Sequence, residues 1–365
     1  MQENKKSGFW SRLRLWTRRR RVILISISGV IVIAAATVAA FVLLNQKPTE
    51  TQTVVIPTVK PPEPAPEPIK YYSPLSGSLV TDQASTTAPV TGIMIENSPD
   101  ARPQSGLKSS GVVFEAIAEG GITRFLVLYQ QEKPQMIGPV RSVRLYDVDW
   151  LAAFNASLAH VGGSAAALKE VRNGNYRDID QFFNSSSYWR ATDRYAPHNV
   201  YTSFAKLDAL NAKKGFVSST FTGFTRVDGK TSAAPNATQV TIKISSTLYN
   251  STYAYDAATN TYLKSQAGAP HLDREEGQIA PSVVVAMRVN ETTVFEDGNR
   301  ESIATIGSGA ATIFQNGTAT AVTWTKTGKS NQITFTDAAG ADIPLVRGQT
   351  WIVAVPNGKG DVSWL

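Results

Sequence analysis

Three arginines, several carboxylates and a glycine-rich turn crowd into the first half of the chain. Glu115 and Glu119 precede "GGITR", which sets Arg124 at the start of an apolar run. "GPVRSVR" (Gly138–Arg144) then supplies Arg141 and Arg144, with Ser142 between them. Asp147 and Asp149 follow, and "HVGGS" gives His160, Gly162, Gly163 and Ser164 just ahead of a helical pattern. A guanidinium is a permanent cation whose planar donor fork matches phosphate or carboxylate. Glycines let backbone amides approach a ligand, and a helix N-terminus favours anions. The set suits a phosphate or pyrophosphate, with a nearby acid to hold Mg²⁺. The competing reading is internal: Arg124, Arg141 and Arg144 pair with Glu115, Glu119 and Asp147 and only stitch loops together. A weaker set is His198 and Asn199 in "APHNVY", where His198 and His160 could form an acid/base pair. His271, near Asp273, stands in the second half. No HExxH, GxSxG, P-loop or dinucleotide fingerprint occurs, so serine-hydrolase and zinc-peptidase chemistry lacks a motif.

The elements that must position these groups alternate in type. Residues 73–224 read as an α/β domain. "VTGIMIEN" and "TRFLVLYQ" are strands, while "SGVVFEAIAEGG" is strand or helix; if helical, Glu115 and Glu119 share a face. "YDVDWLAAFNASLAHV" reads as a helix leading into a strand. "SAAALKEVRNG" is a helix capped by Gly174, and "SFAKLDALNAKKG" runs from an N-cap at Ser203 to Gly215. Residues 225–356 shift to Thr, Val, Gly, Asn and Tyr in short alternating runs, an all-β domain. Its Tyr249, Tyr253, Tyr255, Tyr262, Trp324 and Trp351 are expected in the core or in cross-strand pairs, with a carbohydrate platform as the alternative. Residues 357–365 are left as a tail.

Charge decides the compartment. The formal charge is +7, but residues 1–21 hold eight Lys/Arg and one acid. That leaves 28 basic and 28 acidic residues for the rest of the chain, so a nucleic-acid partner is not expected. Val22–Leu44 follows, 23 residues without a charge. At about 1.5 Å per residue this spans a hydrocarbon core of about 30 Å. Arg18 to Arg21 flank it on the N-terminal side, which puts residues 1–21 in the cytoplasm and everything after Leu44 outside. A cleaved signal peptide is the alternative; its apolar region would be shorter, and no clear small-x-small site precedes the polar segment. Residues 45–72 are proline-rich and read as a semi-rigid stalk. The chain has no cysteine, so disulfides, thiolate sites and a lipidated N-terminal Cys are excluded.

Several longer stretches carry a family likeness. "ARPQSGL", "GVVFEAIAEGGITRFLVLYQ", "IGPVRSVR", "HVGGS" and "APHNVYT", then "YDAATNTYLK", "FQNGTATAVTWTK" and "GQTWIVAVP", resemble the YerB-like bacterial lipoproteins, over roughly residues 73–356. The resemblance implies an extracytoplasmic α/β domain followed by a β domain, without an accepted reaction. It also implies a lipobox cysteine, which this chain replaces by its apolar helix. The order of arginine, strand, Pro-Val-Arg-Ser turn and Gly-Gly helix start is, more faintly, similar to the LytR–CpsA–Psr phosphotransferases. That likeness implies Arg124, Arg141 and Arg144 against a polyprenyl pyrophosphate and an acid holding Mg²⁺. Ser142 stands where that family has aspartate.

The sequence therefore points to a membrane-anchored, extracytoplasmic cell-envelope protein. Its first expected role is to bind an anionic or glycan envelope component through an arginine-lined cleft. An envelope phosphotransferase or hydrolase acting on a polyprenyl-pyrophosphate-linked glycopolymer is the second reading, and a non-catalytic scaffold the third. Whether the chain is an enzyme stays open.

Overall fold

The computed structural model describes residues 7–47, 68–294 and 300–365. Residues 1–6 of the basic tail and 48–67 of the expected stalk lie outside the described residues. The chain divides into two units, Met1–Glu67 and Pro68–Leu365. The first contains α1 (Ser7–Leu44). Within α1, Leu24–Leu44 has a mean hydropathy of 2.7 and is long and apolar enough to cross a membrane. The helix starts ahead of the expected span, so Arg18 to Arg21 are its own residues.

In the second unit the sequence order is mixed α/β, then all strand. The first half supplies β1 (Thr91–Glu96), β2 (Val112–Glu119), β3 (Ile122–Tyr129), α2 (Leu145–Leu151), β4 (Ser157–Ala159), α3 (Ala165–Asn173), β5 (Arg177–Asp178) and α4 (Phe204–Lys213). The second half supplies β6 (Gln239–Lys243), β7 (Ser251–Asp256), β8 (Thr261–Gln266), β9 (Ala269–Pro270), β10 (Val283–Val289), β11 (Glu291–Val294) and β12 (Arg300–Ile303). It continues with β13 (Gly307–Gln315), β14 (Thr318–Lys326), β15 (Thr334–Thr336), β16 (Thr350–Pro356) and β17 (Asp361–Trp364). The caps expected at Ser203 and Gly174 are present: Ser203 accepts from Lys206 N at the start of α4, and Gly174 closes α3; Ser164, expected as a ligand group, accepts from Ala167 N as the N-cap of α3.

The two halves share one sheet. Its order is β15-β14-β13-β10-β16-β2-β3-β1-β4-β5. β16, near the C-terminus, lies between the halves, parallel both to β10 and to β2, where Thr350 faces Val112 and Val353 faces Glu115. A second, five-stranded sheet runs β9-β8-β7-β6-β17. Here the expectation of a free C-terminal tail is corrected: Asp361–Trp364 pairs antiparallel with β6, completing an edge that would otherwise expose unpaired amides. At the other end, Tyr71 and Tyr72, placed in the stalk by composition, pair with Val80 and Leu79.

The principal sheet is buried on both faces, so its central strands read as continuous apolar runs. On one face Phe114, Leu126 and Leu128 meet α2 and α3 through Trp150, Leu151 and Val171. Phe114 and Trp150 stack with centroids 5.0 Å apart. On the other face Ile93, Val127 and Trp351 meet α4 and the inner side of the five-stranded sheet, including Val240, Ile242 and Tyr253. The β-domain aromatics behave as expected: Tyr249, Tyr253, Tyr262, Trp324 and Trp351 are buried, and Tyr255 faces Tyr262 across a strand pair.

Gly92 on β1 lies directly under Leu151 of α2. A Cβ there would overlap Leu151 and lie 3.1 Å from Leu128 Cδ2 and 3.2 Å from Leu126 Cδ1. Overpacking of this kind costs about 1–3 kcal/mol. Gly92→Ala should lower the midpoint of denaturant unfolding by a corresponding amount at unchanged slope. An unshifted midpoint would mean that α2 does not bear on the sheet here.

Candidate functional site

One edge of the principal sheet gathers the residues singled out above. β1, β4 and β5 are parallel, with Ile93 facing Ala159 and Leu158 facing Asp178. Their carboxyl ends therefore coincide, and open α/β sheets bind ligands at such ends. β3 runs antiparallel to β1 and begins at the same edge, so Arg124 faces Glu96. β2 ends there with Glu119.

Glu115 and Glu119 lie on a strand, and a bulge separates them. Alternation alone would put residues four apart on one face. Between Ile117 and Glu119 the register shifts by one residue, which turns Glu119 to the other face. Glu115 is thus buried against Trp351, whose Nε1 donates to it at 2.9 Å, and Thr123, whose hydroxyl donates at 3.3 Å. Glu119 turns instead towards the arginines.

Arg124 and Arg144 converge on Glu119. Arg124 Nη2 donates to Glu119 Oε1 at 3.0 Å, and Arg144 donates to Oε2 through Nε at 3.1 Å and through Nη2. Arg300, from the second half, places Nη1 3.7 Å from Glu119 Oε2. Ser142 holds the pair in place: its carbonyl accepts from Arg124 Nη1 at 3.1 Å and its hydroxyl accepts from Arg144 Nη1 at 3.1 Å. Arg144 Nη1 also donates to Val143 O at 2.9 Å. Both guanidinium groups are almost fully buried, whereas Glu119 is one-third exposed.

The expected convergence of three arginines is corrected. Arg141 sits apart, with Nε 3.3 Å from Glu96 Oε1. Asp147 is corrected too: it does not pair with a guanidinium but accepts the backbone N–H of Arg144 at 2.8 Å at the start of α2. Burial pushes Asp147 up to about 7, despite that amide and the nearby arginines.

The glycine-rich turn serves packing. Gly162 N–H donates to Asp180 Oδ1 at 3.3 Å and Ser164 N–H donates to Val143 O at 3.2 Å. A Cβ on Gly163 would lie 3.0 Å from Val143 O. These amides are already used, which corrects the expectation of an open anion cradle.

The two histidines occupy separate clusters and do not make the expected pair. His160 is buried, with Nδ1 2.7 Å from Gly162 O and Nε2 3.0 Å from Asp178 Oδ1. Burial raises Asp178, but hydrogen bonding and charge from His160 outweigh it and hold the carboxyl below its usual range. His198 Nδ1 lies 3.0 Å from Glu96 Oε1 and 3.3 Å from Ser98 Oγ. A hydrolytic relay needs hydroxyl and carboxylate on opposite ring nitrogens; here both approach the same one. Asn199 pins its own loop, accepting from Arg190 at 2.7 Å and donating to Ala191 O at 3.0 Å. For Mg²⁺ the donor set does not fit. Asp147 is committed to an amide, and Asp149 accepts from Thr305 at 2.8 Å and lies 3.6 Å from Lys329. Among the described residues no group of three His, Asp or Glu stands together for a metal.

Sequence reasoning missed Glu96, Ser98, Asp178, Asp180 and Arg300. A carboxylate closing a buried strand, as Glu96 closes "TGIMIE", was the available signal. Arg300 had none, because it arrives from the other half of the chain.

Beside Arg144 and Arg300 lies a cleft of ≈ 230 Å³, bordered also by Tyr146, Asp149, Ser164 and Glu301.

Glu119 contributes to the acid limb of stability. Burial raises its pKa, but Arg124 and Arg144 outweigh this and bring it down to about 2. With the folded value depressed, its contribution is complete above the unfolded pKa near 4.5 and is lost as pH falls towards 2. Glu119→Gln leaves two buried cations without their carboxylate. Breaking such a pair costs about 3–5 kcal/mol; partial exposure of Glu119 reduces this to about 2–3 kcal/mol. Unfolding at pH 7 should show that loss, and the difference from wild type should shrink towards pH 2. A pH-independent difference would exclude the charge pairing as its source.

Comparison with known proteins agrees with this architecture. Residues 75–217 match the N-terminal domain, and residues 240–352 the C-terminal domain, of a family described as a protein of unknown function (DUF3048). The chain is 32% identical over 293 residues to YerB of Bacillus subtilis (strain 168), whose name marks it as a candidate lipoprotein; the match covers 79% of this chain and 87% of that protein. The crystal structure of YerB from Bacillus subtilis superposes with a TM-score of 0.72 at 30% identity, covering 80% of this chain and 100% of the other. The shared two-part sequence and the shared fold place this chain in the YerB family of proteins of unknown function.

Proposed function

We propose that this chain is a single-pass, membrane-tethered extracytoplasmic protein that binds an anionic cell-envelope ligand without transforming it. The observation that carries the reading is the shared carboxylate. Among the described residues, two buried guanidinium groups, Arg124 and Arg144, donate to one acid, Glu119. The described cluster therefore carries more positive than negative charge, and Arg144 presents it to the adjoining cleft, whose border also holds Asp149 and Glu301, in a setting where burial weakens screening. Arg300 and the Ser164 hydroxyl border the same space. A phosphate group, as on a polyprenyl phosphate or an anionic wall glycan, has the charge and acceptors for that wall. Binding is favoured over transfer because the carboxylates and histidines near the cleft are committed to internal partners. The tether rests on α1, on the arginines that flank its apolar stretch and on the lipoprotein description of YerB.

Native mass spectrometry of the full-length protein, purified in detergent, tests the ligand. A co-purifying polyprenyl phosphate or phosphorylated glycan is expected, with occupancy reduced severalfold in Arg300→Gln and by raised salt. Equal occupancy in Arg300→Gln would remove the cleft from the function and leave a scaffold role.

Because the chain lacks cysteine, single substitutions report topology cleanly. Lys230→Cys should react with a membrane-impermeant maleimide in intact cells, and Lys5→Cys only after permeabilisation. The reverse pattern would invert the proposed orientation.

A further inference from the structure

A second groove, ≈ 700 Å³ in volume, opens between the C-terminal ends of α2 and α3 and the segments 220–222 and 329–330. No member of the arginine cluster lines it. Its volume lies within the range of about 300–1,000 Å³ usual for small-ligand sites.

Two aromatic rings face this groove. Phe221 rests edge-on against buried Phe154 at 5.5 Å, and Tyr176 is fixed by its hydroxyl donating to Glu170 at 2.8 Å. Both are only partly buried while packing on the core. A ligand therefore meets rings already in place, and little side-chain freedom is lost on binding. Around them stand Asn155, Asn175, Thr220, Thr222 and Ser330, all exposed. Among the described residues, these five side chains make no hydrogen bond to another protein group.

The charges at the rim are committed. Lys329 Nζ lies 2.7 Å from Glu170 and 3.6 Å from Asp149. Arg177 Nη1 donates to Ser218 O at 2.6 Å, and its guanidinium covers the Phe216 ring at 5.6 Å. An anion gains little here, because Glu170 and Asp149 together balance the charges of Lys329 and Arg177. A purely apolar ligand would strip water from five polar side chains and offer nothing in return. Amides and hydroxyls set around aromatic faces match a sugar, whose C–H face stacks on a ring while its hydroxyls bond to the rim.

We propose that this groove binds a neutral oligosaccharide. The site is separate from the arginine cleft and does not depend on the ligand assigned there.

Isothermal titration of the full-length chain in nanodiscs tests it, with tetra-N-acetylchitotetraose and maltotetraose as probes. Saturable binding of at least one is expected. The double variant Asn175→Ala/Thr220→Ala should weaken it about fivefold or more. Its melting temperature should not move, since neither side chain bonds to the protein. Phe221→Ala should weaken binding as well, but it also disturbs Phe154, so the double variant decides. Unchanged affinity in the double variant overturns the assignment, as does absence of binding of either probe to protein that melts cooperatively. Occupancy of the arginine cleft by a polyprenyl phosphate should be the same in the double variant, which keeps the two sites distinguishable.

Discussion

A buried carboxylate holds the folded unit together. Glu115 lies on β2, beside the strand that joins the two halves, and water cannot reach it. Every lone pair it carries must find a donor inside the protein, because an unpaired buried charge costs several kcal/mol. The donors come from both halves. Trp351 on β16 and Thr123 on β3 bond to it, and Lys264 Nζ on β8 stands 3.8 Å away. Lys264 in turn contacts Ser251 at 2.8 Å and His271 Nδ1 at 3.0 Å. His271 Nε2 meets Gln104 Oε1 at 3.0 Å, Gln104 donates to Asn97 Oδ1 at 3.0 Å, and Asn97 donates to Thr123 at 2.7 Å. The circuit closes on itself.

That closure explains why the halves share a sheet. Burial lowers Lys264 to about 8, although Glu115 raises it in opposition. Neither charge is tolerable there without the other, so the five-stranded sheet must dock where Lys264 meets Glu115. The register of β16 against β2 is fixed by the same need, since a slip of one residue would turn Trp351 away from Glu115. Polar networks of this kind specify one arrangement because a partly satisfied version is worse than an apolar core.

The arginine edge follows the same rule at a less buried position. Glu119 accepts from both Arg124 and Arg144, and Ser142 accepts one further bond from each. The cluster is therefore a brace between the β2–β3 hairpin and the turn that starts α2. What distinguishes it from the Glu115 circuit is its unequal count of charges and the cleft beside it.

Much was legible in the sequence because it depends on local or periodic physics. The apolar stretch within α1, the caps at Ser203 and Gly174, the apolar strands around Arg124 and the all-β second half follow from hydrophobic period, capping chemistry and turn residues. The two-domain order and the family likeness are also carried by contiguous residues. The arrangement of the site was not legible. A single bulge residue between Ile117 and Glu119 reversed the face of one glutamate, and no pattern of residue types marks such a bulge. Arg141 and Arg144 stand three apart in sequence yet choose different carboxylates, because the turn between them runs over different strand ends. Phe221 and Tyr176 face one groove across more than forty residues of chain. Sequence alone determined which segment is apolar enough to cross a membrane, where helices are capped and which runs form strands, since those are set by neighbours along the chain. Only the tertiary structure decided which charges cancel and which side chains are left facing solvent, because that depends on groups brought together from distant segments into a space without water.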